Sequence, residues 1–393
     1  MSDANGEQVG ILGLTLQEFL AVALERGVKR PRATECYRAA FRQAVALEPW
    51  IAVAPASIVN AHVEGPTSKF VQRHDDGLET ESVLIPMRHR KPGGDGEVTH
   101  TLCVSSQVGC AMGCTFCETA QMGFLKNLTP AQIVGQWFAA THHRGVRPKN
   151  MVFMGMGEPM DNLDAVTQAI RVLCDHDGAG MASSNIAVST VGRVEGIRRF
   201  AAFVREKGFH RCNLAVSLNA PNDEIRSQIM PINRKHPMAE LREAMLAFPL
   251  RSSSAICVEY VLIPGVNDAF EHCDELCAYL RPVRCSLNVI PYNPRRNSPW
   301  PAPTEESVAA FIERAATNGQ FVKRRQTKGR SVMAACGQLG NEHIRQRKRV
   351  TPTGPEVSQS VMHNVVPKVP PIVPMLDLTV HGRRTDLPTE GSS

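Results

Sequence analysis

The chain has 393 residues, 43% hydrophobic and 21% charged, a balance that excludes a wholly disordered or membrane-embedded chain and predicts a soluble protein with a sizeable core. A net charge of +6 leans toward a polyanionic partner without requiring one. Twelve cysteines behind an N-terminus, "MSDANGEQVGILGL", with no leader pattern predict reduced thiols that serve metal binding or catalysis in the cytoplasm, and argue against a disulfide scaffold.

In chain order, residues 15–45 carry apolar positions at helical spacing and predict two amphipathic helices broken near Lys29–Pro31, with a basic cluster at Lys29, Arg30, Arg32 and Arg38. Residues 1–60 are read as a helical N-terminal module. The segment 61–100 is β-rich, with "SVLIPM" separated from "THTLCVSS" by the Gly/Pro loop "KPGGDG". From residue 101 the pattern becomes regular. The runs "TLCVSS" (101–106), "NMVFMG" (150–155), "NIAVST" (185–190), "NLAVSL" (213–218), "CVEYVLI" (257–263) and "SLNVIP" (286–291) alternate with helical segments near 130–143, 162–175, 193–207, 239–248, 268–280 and 305–318.

That alternation is the signature of βαβ units on a parallel sheet. Six β/α repeats fall short of the eight that close a barrel, so the fold class is α/β, an incomplete (β/α)6 barrel over 101–346, with a doubly wound sheet as the alternative. Its chemistry belongs at the C-terminal ends of the strands. Residues 347–393, rich in Pro, Ser and Thr without periodicity, are read as a disordered tail. No run of about eighteen uncharged apolar residues occurs, so no membrane span is expected.

The cysteines sort by company. Cys36, Cys174, Cys212, Cys257 and Cys285 stand alone and read as structural, and Cys273 and Cys277 share one face of a predicted helix. The run Cys110-x3-Cys114-x2-Cys117 differs: it follows a strand, and Gly109 and Gly113 let the backbone fold around a bound object. Three thiolates so close select an iron–sulfur cluster or zinc over hard cations. Zinc would want a fourth ligand at finger-like spacing, while a three-ligand cluster leaves one iron open for a substrate or cofactor.

This Cys-x3-Cys-x2-Cys loop, with Phe116 before its last cysteine, is similar to the signature of radical S-adenosylmethionine enzymes. With "MVFMGMGEPMDN", "NLAVSLNAPNDEIRSQIMPINRKHPM", "EYVLIPGVND", "IPYNP" and "MAACGQL" in matching order over about residues 78–345, the chain resembles the RlmN/Cfr family of RNA adenine methyltransferases. The resemblance implies a radical-SAM partial barrel holding a [4Fe-4S] cluster on Cys110, Cys114 and Cys117, with S-adenosyl-L-methionine contacted at Gly157, Glu158, Ser189, Ser217, Leu218, Asn219 and Asn293. The family usually reads "SLHAP" where this chain has "SLNAP".

It further implies that Cys336 carries the methyl group as S-methylcysteine, that Cys103 resolves the protein–RNA adduct through a transient disulfide with Cys336, and that Glu81 accepts a proton. The basic run Lys323, Arg324, Arg325, Lys328 and Arg330 is expected to lower the Cys336 pKa and to hold RNA phosphates. The implied activity is methylation of C2 of an adenosine in large-subunit rRNA, with tRNA as a further target. A Cfr-like C8 methyltransferase is the alternative, and a non-enzymatic iron–sulfur or zinc RNA-binding protein is the alternative of another class. The expected partners are RNA and an electron donor such as flavodoxin, with the protein a monomer.

Overall fold

The computed structural model describes residues 8–88, 98–326, 329 and 333–340. The tail expected at 347–393, the loop "KPGGDG", and Lys328 and Arg330 of the basic run lie outside the described residues.

The N-terminal helices span Leu16–Glu25 and Arg30–Gln43. Thr15 opens the first with a reciprocal cap, its hydroxyl accepting from Glu18 N while Glu18 accepts from Thr15 N at 2.7 Å. Pro31 sits in the first turn of the second, where its missing N–H costs nothing, and Ala44 ends that helix in left-handed backbone at φ 58°. Phe19, Tyr37 and Phe41 join the main core. Of the expected basic cluster, Arg32 pairs with Glu35 and Glu48 inside the module, and Arg38 with Asp177 at 2.6 Å, just past the helix Leu163–Cys174, which ties the module to the barrel.

One ten-stranded sheet organises the described residues. The six expected strands form as Val98–Cys103, Asn150–Phe153, Ile186–Thr190, Asn213–Ser217, Ile256–Leu262 and Cys285–Pro291, each parallel to the next. A seventh parallel strand, Val322–Arg324, adds to one edge, with Val289 opposite Arg324; it is too short and too basic to show in a hydrophobic pattern. At the other edge three antiparallel strands, Ser57–Glu64, Thr67–Arg73 and Glu79–Arg88, extend the sheet from Val98–Cys103.

The strand interiors Leu102, Met151, Val188, Leu214, Val258 and Leu287 are buried, because helices cover the parallel part. Those crossovers are Pro130–Phe138, Leu163–Cys174, Val194–Phe203, Met238–Ala247, Phe270–Leu280 and Glu305–Thr317. The strand order is open, as an incomplete barrel requires, and the C-terminal strand ends gather around one face. Among the described residues, no helix is long and apolar enough to cross a membrane.

Candidate active site

The cysteine loop grows from a small hairpin in which Gln107–Gly109 pairs with Phe124–Asn127. Gly109, at φ +72°, is required: a Cβ there would lie 1.8 Å from the Gly123 carbonyl. The Cys110 N–H donates to that carbonyl at 2.9 Å, and Thr115 N donates to Ile229 O at 3.0 Å, which fixes the loop against the end of the helix Asp223–Ile229. Cys110, Cys114 and Cys117 then face one cavity of about 970 Å³ including its open mouth. Burial pushes all three thiols above their ordinary pKa. Binding of a positive iron centre would reverse that cost, so three buried soft donors on one wall fit an iron–sulfur cluster. Among the described residues, no three His, Cys, Asp or Glu side chains converge on one point as a single ion demands. A cubane asks for no such convergence, because each thiolate holds a different iron.

The opposite wall is made by strand ends. Gly157, at φ +97°, passes so close to Gln107 that a Cβ would fall 2.5 Å from its side chain. Glu158 follows, its carboxylate accepting from Met160 N at 3.0 Å and Val191 N at 2.9 Å. Despite these donors, burial holds its pKa up at about 7. Ser189 and Ser217 line the same cavity from the next two strands. Asn219 does too, in left-handed backbone at φ 58°, which Asn tolerates better than most residues. Its Oδ1 accepts from Val261 N at 2.9 Å and its carbonyl accepts from Asn267 Nδ2 at 2.8 Å, so the residue stitches two strand ends together.

Cys336 lies on a segment of residues 333–340 without regular secondary structure. The segment is tied directly to the helix that follows Cys117: Glu118 N donates to Gly337 O at 2.7 Å, and Thr119 Oγ1 to Leu339 O at 2.6 Å. Cys336 thereby borders two cavities at once, the first one and a second of about 1300 Å³ lined also by Asn293, Cys257, Lys323 and Arg324. Cys103, at the end of its strand, is pushed up to about 12, by burial first and by the charge of neighbouring Cys336 second. The two thiols are thus electrostatic neighbours.

The expected lowering of the Cys336 pKa is corrected by burial, which leaves this thiol above its ordinary value. Arg325 opposes that shift, and the other described cations of the run are engaged elsewhere: Arg324 with Glu305 at 2.5 Å, Lys323 over the Phe321 ring. Arg325 is aimed by Glu259, whose Oε1 accepts from Arg325 Nη1 at 2.6 Å while its Oε2 accepts from Ser189 at 3.4 Å.

The structure therefore gathers Cys110, Cys114, Cys117, Gly157, Glu158, Ser189, Ser217, Asn219 and Cys336 on one cavity. Asn293 belongs to the second cavity. Leu218 is wholly buried and reaches the site only through its backbone, its N–H donating to Glu259 O at 3.0 Å. Glu81 lies behind Cys336, bound to Lys69 Nζ at 3.2 Å and Gly340 N at 3.0 Å. Sequence reasoning passed over Glu259, although a lone carboxylate inside the apolar run "CVEYVLI" was a usable signal. It also passed over Arg226, a fully buried guanidinium that binds the carbonyls of Leu218 at 3.0 Å and Val191 at 2.5 Å behind the strand ends.

Residues 104–277 match the model of the radical SAM superfamily. The chain is 44% identical over 285 residues to the probable dual-specificity RNA methyltransferase RlmN 1 of Protochlamydia amoebophila, covering 72% of this chain and 76% of that one. It is 39% identical over 350 residues to the dual-specificity RNA methyltransferase RlmN of Geotalea uraniireducens, covering 85% and 97%. A radical SAM methyltransferase from Sphaerobacter thermophilus, known as a crystal structure, superposes with a TM-score of 0.76 at 34% identity over 84% of this chain and 98% of that one. With a relative 39% identical over 85% of its length and a superfamily match that spans Cys110, Cys114 and Cys117, the chain belongs to the RlmN family of radical SAM RNA methyltransferases.

Proposed function

We propose that this enzyme methylates C2 of an adenosine in large-subunit rRNA, and also in tRNA, by way of a methyl group carried on Cys336. The observation that carries the reading is the position of Cys336 in the wall shared by the two cavities, with Cys103 beside it. The relatives' dual specificity supports two RNA classes, and the family supports a radical route to an electron-poor ring carbon that offers no lone pair.

Cys110, Cys114 and Cys117 would hold a [4Fe-4S] cluster, and Gly157, Glu158, Ser189, Ser217 and Asn219 would hold S-adenosyl-L-methionine in the first cavity that they line, with Leu218 supporting from its backbone and Asn293 from the second. When bound, this pair supplies a methyl group and a carbon-centred radical able to abstract hydrogen. Glu158, once ionised, would receive the cofactor's amino group, while Gly157, packed against Gln107, fixes the backbone that presents it. Cys336 must be a thiolate to accept a methyl group, and Arg325 is the charge that favours it. The flipped adenine enters by the second cavity, where Lys323 and Arg324 face its phosphates. From the closed-shell Cys336–CH2–RNA adduct, the Cys103 thiolate would attack the Cys336 sulfur: the S–S bond forms as the S–C bond breaks, the electron pair leaves with the carbon, and protonation of that carbon gives the methyl group, while Glu81 takes the proton that ring carbon C2 gives up.

The protein works as a cytoplasmic monomer that draws electrons from a donor such as flavodoxin. RNA from a strain lacking the gene, digested to nucleosides, is expected to lack 2-methyladenosine at a position that the restored gene recovers. Loss of 8-methyladenosine instead would move the reaction to C8, and an unchanged nucleoside profile in every RNA would overturn the proposal. Protein purified without oxygen should be brown and carry iron and sulfide at about four each per chain. Zinc in their place would favour the RNA-binding alternative.

A further inference from the structure

We infer that Lys69, on the strand Thr67–Arg73, is a positioning residue for Cys336, acting with Glu81 as a buried clamp that holds segment 333–340 at both ends. Lys69 Nζ donates to the Met333 carbonyl at 3.2 Å, at the segment's start. The same ammonium donates to Glu81 Oε1 at 3.2 Å, and Glu81 Oε2 accepts from Gly340 N at 3.0 Å, at the segment's end. One ion pair thus grips two backbone groups that bracket the methyl-carrying thiol.

Sheet geometry explains why these two side chains meet. Lys69 lies opposite Val83, and Val71 opposite Glu81, so Lys69 and Glu81 are diagonal neighbours on adjacent antiparallel strands. Both are almost fully buried, with side chains 7% and 9% exposed. A buried ion pair is weak evidence for stability, because desolvation consumes most of its attraction. This pair does something that an apolar pair of equal volume would not, since its spare donor and acceptor reach into an irregular segment. That segment needs outside support: Met333 stands at φ 51° and Gly340 at φ 155°, and no helix or ladder hydrogen bonds run through it.

The clamp has a consequence that rests on the function proposed above. If Glu81 takes up a proton during turnover, its bonds to Lys69 and to Gly340 both lose their charge and weaken together. The segment is then freed at the stage when Cys336 must turn from the RNA toward Cys103.

Hydrogen exchange of the full chain, followed by mass spectrometry, tests the clamp without reference to methylation. In Lys69→Met, peptides covering 333–340 are expected to exchange about ten-fold faster, the equivalent of one lost charge-assisted hydrogen bond, while Ile186–Thr190 and Ile256–Leu262 stay protected. Lys69→Arg should restore much of the protection, and Glu81→Gln, which mimics the protonated acid, should also speed exchange. The same two weakened variants should alter the rate at which diamide, a two-electron oxidant of thiols, links Cys103 to Cys336. Unchanged exchange at 333–340 in a folded Lys69→Met protein overturns the inference. Should Lys69→Met lose protection throughout, Glu81→Gln decides, and global loss in both would mean that the pair holds the sheet and not the segment. A clamp seen by exchange in a protein whose deletion alters no RNA would refute the proposed function and leave the clamp standing.

Discussion

Two short cysteine-bearing segments meet at the mouth of this sheet, and they are held differently. The loop that presents Cys110, Cys114 and Cys117 is closed at its base by its own hairpin, Gln107–Gly109 against Phe124–Asn127, a few residues to either side, with Thr115 at its middle tied farther off to Ile229 and Arg295. The segment that presents Cys336 draws its support from far along the chain: Lys69 bonds it across 264 positions, Glu81 across 259 and Thr119 across 220. On the function proposed above, a site that must hold a cluster still can be closed largely by its own hairpin, whereas a carrier thiol that serves two partners is better held by ties that can be undone one at a time. The contrast makes the first segment part of the scaffold and the second a positioned tool.

Removing a thiol from each segment should break the molecule in different ways. Cys114→Ala takes away one of three ligands in a loop with no spare donor of its kind, so iron content and methylation should both be lost, as metal analysis and an RNA methylation assay would read. Cys336→Ala should keep its iron and its colour yet lose about 10⁴-fold or more in methylation, the scale on which a missing covalent nucleophile is felt. Cys103→Ala should also keep iron, but stall at the resolving step and leave protein attached to RNA as a slow band on a denaturing gel. Iron loss in Cys336→Ala would blur the distinction between the two segments.

A smaller effect sharpens the local side of the comparison. Gly109→Ala sets a Cβ 1.8 Å from the Gly123 carbonyl and at φ +72°, so the hairpin must open to admit it. The expected cost is about 3 kcal/mol of stability, measurable by denaturant unfolding of the chain.

The same difference decides what could be read from the sequence. The six core strands and their crossovers were legible because strands covered on both faces are apolar throughout, and "NIAVST" or "CVEYVLI" can hardly be anything else. The cluster loop was legible because its ligands, its glycines and its preceding strand are neighbours in sequence. Cys336 was reached only through resemblance: "SVMAACGQL" has no periodicity, and what gives it a function lies in strands near residues 69 and 81. Lys69 itself was invisible, since a lysine in "TSKFVQR" reads as the polar side of an alternating strand until the fold buries it. The seventh strand was missed because three residues with two cations carry no burial signal. The expectation of a lowered Cys336 pKa failed for a related reason: the sequence counts nearby charges but not the burial that outweighs them.

Glu158 offers the smallest and most local of these tests, because it lies on the scaffold side yet must change its charge to work. Burial raises its pKa from 4.5 to about 7 and so favours the neutral acid. Stability from this group is therefore complete below 4.5 and is lost as pH rises through about 7, where the buried carboxylate is charged with only backbone N–H donors to offset its desolvation. An amino group bound beside it reverses that penalty. Binding of S-adenosyl-L-methionine as an ammonium should therefore release a proton from Glu158 at pH 6, a share that vanishes as pH rises through about 7, and affinity should fall about ten-fold as pH drops below 7, the weight of one charge-assisted hydrogen bond. Calorimetry in buffers of different ionisation enthalpy reads the proton directly. Glu158→Gln should bind more weakly at pH 8 and show none of this pH dependence; a Gln variant that keeps it would place the titrating group elsewhere on the cavity wall.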